Sequence, residues 1–437
     1  MMRTQSHCHN NGDSNHQSGF NRRKNLYRIA GLFALFGAFG NVSALTLSEA
    51  VSMAQRNDPL IENHKAIARA WNNNAVADNQ LPDPKLRFGL SNLPLDSLST
   101  TQEPMTQFIV GVQQAFPKGD SLALKQLQSE WQSKAELARA EDRQRKLKMN
   151  IREDFFNLYY QVEAARIIRE SRQLFSQLVQ ITEAHYASGR VNQQDVLRAD
   201  LELSRLDDRA ITIQTKEEML RADLSRWLGE AAWQPIAAEF PELPEISAAN
   251  DINELITSHP AIIVENAKLE AGRQGSAIAK QQYKPGWGLS LEYRKRFGEN
   301  PDNSDRADMM AAMATLDIPL FTEKRQDRRV AASEEKVSAV RWARDDQLRK
   351  LKQIYDRARA RLKGLDKRRR NYKDDLIRSA ESNTKSALKA YQSGVTEFTS
   401  LMRAHITELD IRLSDLRVRV DRSLAISQLL YISGDEK

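Results

Sequence analysis

The chain has 437 residues, of which 28% are charged and 7% aromatic, and Cys8 is its single cysteine. Setting aside residues 1–44 as a predicted leader removes five of the 65 basic residues and one of the 58 acidic ones, which lowers the net charge from +7 to +3. So small a surplus argues against a nucleic-acid-binding protein, and the absence of cysteine beyond the leader excludes disulfides and cysteine metal sites there.

The N-terminal segment has the three parts of a secretory signal peptide. Basic residues from Arg22 to Arg28 precede the apolar run "IAGLFALFGAFG", and "VSA" at 42–44 has the small residues of a cleavage site. We therefore predict cleavage after Ala44. The apolar run is too short to span a bilayer comfortably, and no later segment is apolar enough to do so as a helix.

Residues 45–228 are predicted to hold a helix, two strands at about 85–93 and 106–116, and a long helical hairpin with its tip near Gly189. Residues 121–187 contain neither proline nor glycine and are rich in good helix formers, so they predict a rod of about 100 Å. Prolines flank the strand pair, where a helix cannot continue.

Residues 251–437 repeat this order after a proline-rich linker at 229–250. Strands are predicted at about 286–297 and 309–318, and a second hairpin tip near Gly394. The tip segments "HYASGRVNQQDVLRAD" and "AYQSGVTEFTSLMRAH" share Tyr-x-Ser-Gly and Arg-Ala, with their glycines 205 positions apart. This pattern indicates an internal duplication.

The four strands alternate between apolar and polar residues, as membrane β-barrel strands do, although a half-buried hairpin of a soluble domain shows the same alternation. The prolines at each helix–strand junction favour the barrel. Four strands cannot close a barrel, so we expect a homotrimer with twelve strands in outer-membrane lipid and a helical barrel beneath it. The predicted fold class is mainly α with a membrane β-barrel portion.

The order and doubled spacing of these segments resemble the TolC-type outer-membrane factors of tripartite efflux and type I secretion systems. The resemblance covers residues 45 to about 432 and rests on "LTLSEAVSMAQRNDP", the proline-flanked strand pairs, the two tip segments and "LSRWLGE". It implies an outer-membrane channel that extends into the periplasm, with a periplasmic adaptor and an inner-membrane pump as partners and no cofactor.

The first strand region, "LPDPKLRFGLSNLPLDSL", resembles the branch that serves heavy-metal efflux pumps, which implies export of heavy-metal cations. Efflux of drugs or other organic compounds, or type I secretion, is the alternative within the family. A periplasmic coiled-coil scaffold is the alternative from a different class.

The resemblance also implies roles at the tips. Adaptor contacts fall on Gly189, Arg190, Val191, Gly394, Val395 and Thr396. The family's closing tyrosine and aspartate fall on Tyr391 and Asp195, whereas its arginine two past the second tip glycine is Thr396 here.

The acidic positions of the family's aperture fall on Ser400 and Arg403, so an acidic cation-selecting ring is not expected. We hypothesise that Arg403 or Arg190 instead pairs with Asp195 and closes the tip. Solvated charges on helix surfaces are the alternative.

No motif of the sequence indicates an enzyme. A phosphate-binding loop, an HExxH motif and a nucleophile elbow are absent from the sequence. Beyond the leader, His64, His185, His259 and His405 stand singly, so we expect no metal site and passive transport.

Overall fold

The computed structural model describes residues 44–244 and 251–434. The predicted signal peptide, apart from Ala44, and residues 245–250 of the predicted linker lie outside the described residues. The first half contains α1 (Leu47–Asn57), α2 (Pro59–Asp78), β1 (Lys85–Ser91), β2 (Gln107–Phe116), α3 (Ser121–Ala187), α4 (Gln193–Leu228) and a 3₁₀ turn (Gly229–Trp233). The second half contains α5 (Ile252–Thr257), α6 (Pro260–Gln281), β3 (Gly286–Arg296), β4 (Met309–Asp317), α7 (Gln326–Asn371), a π-helical turn (Tyr372–Leu376), α8 (Ile377–Gln392) and α9 (Phe398–Ser433).

The four strands form one antiparallel sheet in the order β1-β2-β3-β4. Each strand lies within two residues of its predicted bounds at either end. The central pairing, β2 with β3, joins the two halves of the chain, and Val112 lies opposite Leu291 in it. Within the described chain, β1 and β4 each pair with a neighbour on one side only.

The two long rods have the same residue count but differ in construction. Helix α3 runs without interruption through 67 residues. The second rod, Gln326 to Gln392, also has 67 residues, but the π-helical turn divides it into α7 and α8. The repeated order of elements had predicted a long helical hairpin here, without a break in its first helix. At the turn, Tyr372 packs against a cluster of Leu365, Val418 and Ala425.

Helix α2 begins at a proline, which fits the first helical position because its missing N–H would have no partner there. Asp58 precedes Pro59, and its carboxylate accepts a hydrogen bond from the Leu60 N–H at 2.8 Å. The second carboxylate oxygen pairs with the Arg143 Nε at 2.7 Å, which fixes the start of α2 against α3.

Helix α6 begins in the equivalent way 201 positions later, with His259 in place of the aspartate. The Nδ1 atom of His259 accepts a hydrogen bond from the Ala261 N–H at 3.2 Å. Its Nε2 atom donates to the Tyr431 carbonyl at 3.0 Å. Burial of the ring lowers the pKa of His259 to about 4, so the neutral cap is the folded form.

The connection between the sheet and the long rod is longer in the second half of the chain than in the first. The offset is 201 residues from Pro59 to Pro260, and it is 205 residues from Ser121 to Gln326 and from Leu228 to Ser433. Four extra residues therefore lie between β4 and α7.

The two largest apolar clusters of the described residues lie among the helices. The larger surrounds Phe155, Phe156 and Leu158 of α3 and takes in Phe240, whose ring centroid lies 5.7 Å from that of Phe156. The smaller lies towards the tips and consists of Ile168, Phe175, Leu178, Val179, Ala199, Leu206, Phe398, Leu401, Met402 and Leu409. Over residues 44–244 and 251–434, no helix combines the length and the apolar composition that crossing a bilayer requires.

Candidate functional sites in the hairpin tips and the sheet

The first rod turns back through a Schellman motif, in which two backbone hydrogen bonds close the end of the helix. The N–H of Gly189 donates to the Tyr186 carbonyl at 2.9 Å, and that of Arg190 to the His185 carbonyl at 2.8 Å. This geometry needs a left-handed residue, and Gly189 supplies it with a φ of +71°.

The second rod ends in the same motif. The N–H of Gly394 donates to the Tyr391 carbonyl at 3.0 Å, and that of Val395 to the Ala390 carbonyl at 2.9 Å. Gly394 has a φ of +73°. In both halves three residues then separate the helix caps, so the two tips have the same backbone course.

Both tips present bare backbone to their surroundings. A Cβ atom added to Gly189 or Gly394 would meet no described atom within 4 Å. Beside Gly394, the side chain of Val395 is 77% exposed. The Thr396 hydroxyl oxygen is buried and has no hydrogen-bond partner among the described residues.

A side-chain contact connects the two tips. The Nδ1 atom of His185 lies 3.2 Å from the Tyr391 hydroxyl oxygen. The Tyr391 ring also meets Phe398 edge-on, with 5.7 Å between ring centroids. Phe398 is 1% exposed, so this contact joins the tips to the apolar cluster behind them. No pattern in the sequence signals this role of His185, and its counterpart 205 positions later is Ala390.

The remaining gate candidates are less closely associated with one another than His185 is with Tyr391. Burial of the Tyr391 ring raises the pKa of this residue, and the nearby Asp195 carboxylate contributes secondarily. Within the described part of this chain, Asp195 forms no ion pair with Arg190 or Arg403, which are both exposed. Ser400 is also exposed, in the first turn of α9. Closure of Asp195 onto an arginine therefore stays a prediction that concerns assembled copies.

One face of the sheet, which we call the apolar face, carries exposed apolar residues in rows that run across the four strands. The central row is Leu86, Val112, Leu291 and Ala312, and the next is Phe88, Val110, Tyr293 and Met310. Phe88 is 72% exposed although it is large and apolar. At the helix end of this face, Phe116 and Trp287 stack with their centroids 4.0 Å apart. Aromatic residues of this kind line membrane–water interfaces.

The opposite face, which we call the polar face, is formed by the alternate residues of the same strands. On it Glu292 is 7% exposed and accepts a hydrogen bond from the Arg294 Nη2 at 2.8 Å. The Nη1 atom of Arg87 lies 3.5 Å from the other carboxylate oxygen. Gly111 lies beside this cluster, and a Cβ there would come within 2.7 Å of the Glu292 Cγ, so glycine leaves room for the carboxylate.

The two loops that connect the strands touch each other. The Nη1 atom of Arg306 donates to the carbonyls of Thr101, Glu103 and Phe297 at 3.3, 3.2 and 3.0 Å. The β1–β2 loop and the β3–β4 loop are therefore held at one end of the sheet, opposite the helices.

The histidines have separate local roles. His64 lies 2.8 Å from a Glu136 carboxylate oxygen, and His405 is buried edge-on to Phe175. Across residues 44–244 and 251–434, no group of three His, Cys, Asp or Glu residues is arranged to hold a metal ion.

No protein-family model matches the chain, and comparison with curated proteins found no match. Solved structures do match. A membrane protein from Pseudomonas aeruginosa is similar with a TM-score of 0.76 at 16% identity, over 89% of this chain and 93% of that chain. The outer membrane protein VceC of Vibrio cholerae gives a TM-score of 0.73 at 16% identity, over 89% and 96% of the two chains. The CmeC outer membrane channel of Campylobacter jejuni gives 0.75 at 13% identity, over 89% and 85%.

Sequence identity this low establishes the fold alone. The predicted fold class is confirmed, because the chain is mainly helical with one small antiparallel sheet and matches these proteins along most of its length. The chain therefore has the fold of the outer-membrane channels, the TolC-type architecture that its sequence resembles.

Proposed function

We propose that this protein is the outer-membrane channel of a tripartite efflux system. It acts as a passive exit duct that docks to a periplasmic adaptor and an inner-membrane pump. The observation that supports this most is the sheet, because its exposed apolar face is continuous across all four strands while its other face is polar. A soluble scaffold is not expected to expose such a face to water, since large exposed apolar patches mark contact with lipid or protein.

Closure of the sheet requires further copies of the chain. The free edges of β1 and β4 would leave unpaired N–H and C=O groups in hydrocarbon, where each costs several kcal/mol. Pairing β1 of one copy with β4 of the next removes both edges. Three copies give twelve strands and place every apolar face towards lipid. This arrangement corresponds to a location in the outer membrane.

The tips are proposed as the docking points for the adaptor. Bare glycine backbone and the exposed Val395 offer a helical partner close approach and apolar contact. Thr396 lies in the same turn, with its hydroxyl oxygen buried. Arg190 and Val191 occupy the corresponding turn of the first tip.

The gate is proposed to close at Tyr391 and Asp195. Arg190 or Arg403 pairs with Asp195 between copies of the chain, in addition to the contact of Tyr391 with His185. Replacing Asp195 by asparagine is expected to increase the open fraction of the channel in planar bilayers. An unchanged closed state would count against this gate.

The proposed cargo is heavy-metal cations, on the resemblance of the first strand region, with organic compounds as the alternative. Retention of copper, silver, zinc, cobalt, cadmium and several organic toxicants is compared in a deletion strain and its complemented form. Retention of one or two cations would favour metal efflux, and retention of organic compounds alone would favour the other branch.

The channel itself is tested by fractionation. An SDS-resistant trimer in the outer-membrane fraction is the expected result, because barrel strands from three copies share backbone hydrogen bonds. A monomer or dimer in the soluble periplasmic fraction would instead support the coiled-coil scaffold.

A further inference from the structure

The polar face of the sheet carries an excess of basic residues. Four rows of this face carry five charged side chains, which are Lys85, Arg87, Glu292, Arg294 and Arg296. The remaining charged side chain of the face is Asp317, at the helix end. Four positive charges and one negative charge give a net of +3 in these rows. The single carboxylate is enclosed between two arginines and is 7% exposed.

The edge strand that would close the barrel adds little opposite charge. The polar face of β4 carries methionine, alanine and threonine, and its only charged side chain is Asp317, at the helix end. Three copies would therefore place nine net positive charges in the four rows. The three copies of Asp317 at the helix end lower the net charge of the whole enclosed wall to +6.

We propose that this wall makes the duct prefer anions over cations, an inference that rests on the proposed function. Twelve strands about 4.8 Å apart and tilted by about 40° form a barrel about 12 Å in radius, and side chains narrow it to about 7 Å. The Debye length is about 10 Å at 0.1 M salt, so the wall charges act across the whole bore. Rings of arginine and lysine favour anions in pores in this way.

The loops at the open end carry charge of the other sign. Residues 92–106 and 297–308 hold six carboxylates and one arginine, Arg306. All six carboxylates are exposed. Five of them lie beyond the last paired row, outside the confined bore, where bulk salt screens them. The sixth, Asp308, directly precedes β4 and accepts a hydrogen bond from the hydroxyl of Tyr293, a residue of the apolar face. The bore therefore sets the preference, and it favours anionic or neutral cargo over cationic cargo. A free divalent cation is the species that this wall disfavours most, so a metal exported as an anionic complex would cross more readily than the free cation.

The test is the reversal potential of the full-length trimer in planar bilayers across a potassium chloride gradient. At about 0.1 M salt we expect chloride to be at least about twofold more permeant than potassium. The preference should disappear near 1 M salt, where the Debye length is about 3 Å.

Matched variants assign the effect to the wall. Lys85→Gln with Arg87→Gln lowers the net charge of the rows from +3 to +1 per chain and should reduce the preference. Glu292→Gln raises it to +4 and should increase the preference. Lys295→Gln removes the same kind of charge from the apolar face, opposite Phe108, and should leave the preference unchanged.

Each other outcome contradicts a defined part of the reasoning. Channels that prefer cations, or that respond to Glu299→Gln in the loop but not to the wall variants, would overturn the inference and leave the duct intact. An outer-membrane trimer that forms no channel, in the wild type and in the Asp195→Asn variant, would overturn the duct and the inference together.

Discussion

Leu291→Arg tests which face of the sheet meets lipid. Five rows of the apolar face run along β3 from Trp287 to Lys295, and Leu291 is in the central row. Eight residues at about 3.4 Å, on strands tilted by about 40°, span about 21 Å, close to the apolar band of about 25 Å of outer-membrane barrels. Leu291 therefore lies near the middle of the membrane.

An arginine at that depth costs about 2 to 4 kcal/mol per chain, and a trimer would bear this cost three times. We expect the Leu291→Arg chain to lose most of its SDS-resistant trimer in the outer-membrane fraction. Ser290→Arg is the matched control, because it introduces the same side chain one residue away on the polar face. It should assemble normally.

The reverse result would refute this assignment of the two faces. If Leu291→Arg assembled and Ser290→Arg did not, the apolar face would be turned inwards. If both variants assembled equally well, the sheet would not be in a membrane. Native Lys295, at the rim of the same face, agrees with the expected fall of the cost to about 0 to 1 kcal/mol near the interface.

Two further predictions concern stability and are measured as unfolding of the detergent-solubilised trimer. Gly394→Ala should destabilise by about 1 kcal/mol because of its positive φ, whereas Gly364→Ala, within α7, should stabilise by about 0.5 to 1 kcal/mol. Both positions have open space, so equal effects would contradict the argument from φ. His259 binds a proton more readily when unfolded, with pKa values of 6.5 unfolded and about 4 folded. Stability should therefore fall by about 3 kcal/mol as the pH drops from 6.5 to 4. His259→Asn, whose new side chain can also cap the helix, should remove this part of the pH dependence, and an unaltered pH profile would refute this role of His259.

Much of the fold follows from local sequence patterns. Helical periodicity predicts the rods, two-residue alternation predicts the strands, and the positions of proline and glycine predict the junctions and the tips. Each of these patterns extends over only a few residues. The duplication then strengthened each assignment, since each segment was observed twice.

The contacts between distant residues did not follow from the sequence. His185 meets Tyr391 across 206 positions, and Arg87 meets Glu292 across a similar separation. Neither pair has a periodic signature, because the contacts depend on how complete rods and strands lie beside one another. The break between α7 and α8 was also missed, since Tyr372 is an ordinary residue for a helix.

The change in offset between the two halves shows where this chain accepts insertions. From the start of each rod to the end of the returning helix, the two halves differ by no residue. One inserted residue there would rotate every later side chain by about 100° away from its partners. The four additional residues lie instead between β4 and α7, where Leu320 and Phe321 are exposed. That junction is the natural place to introduce an epitope or a fluorescent label without altering the sheet or the rods.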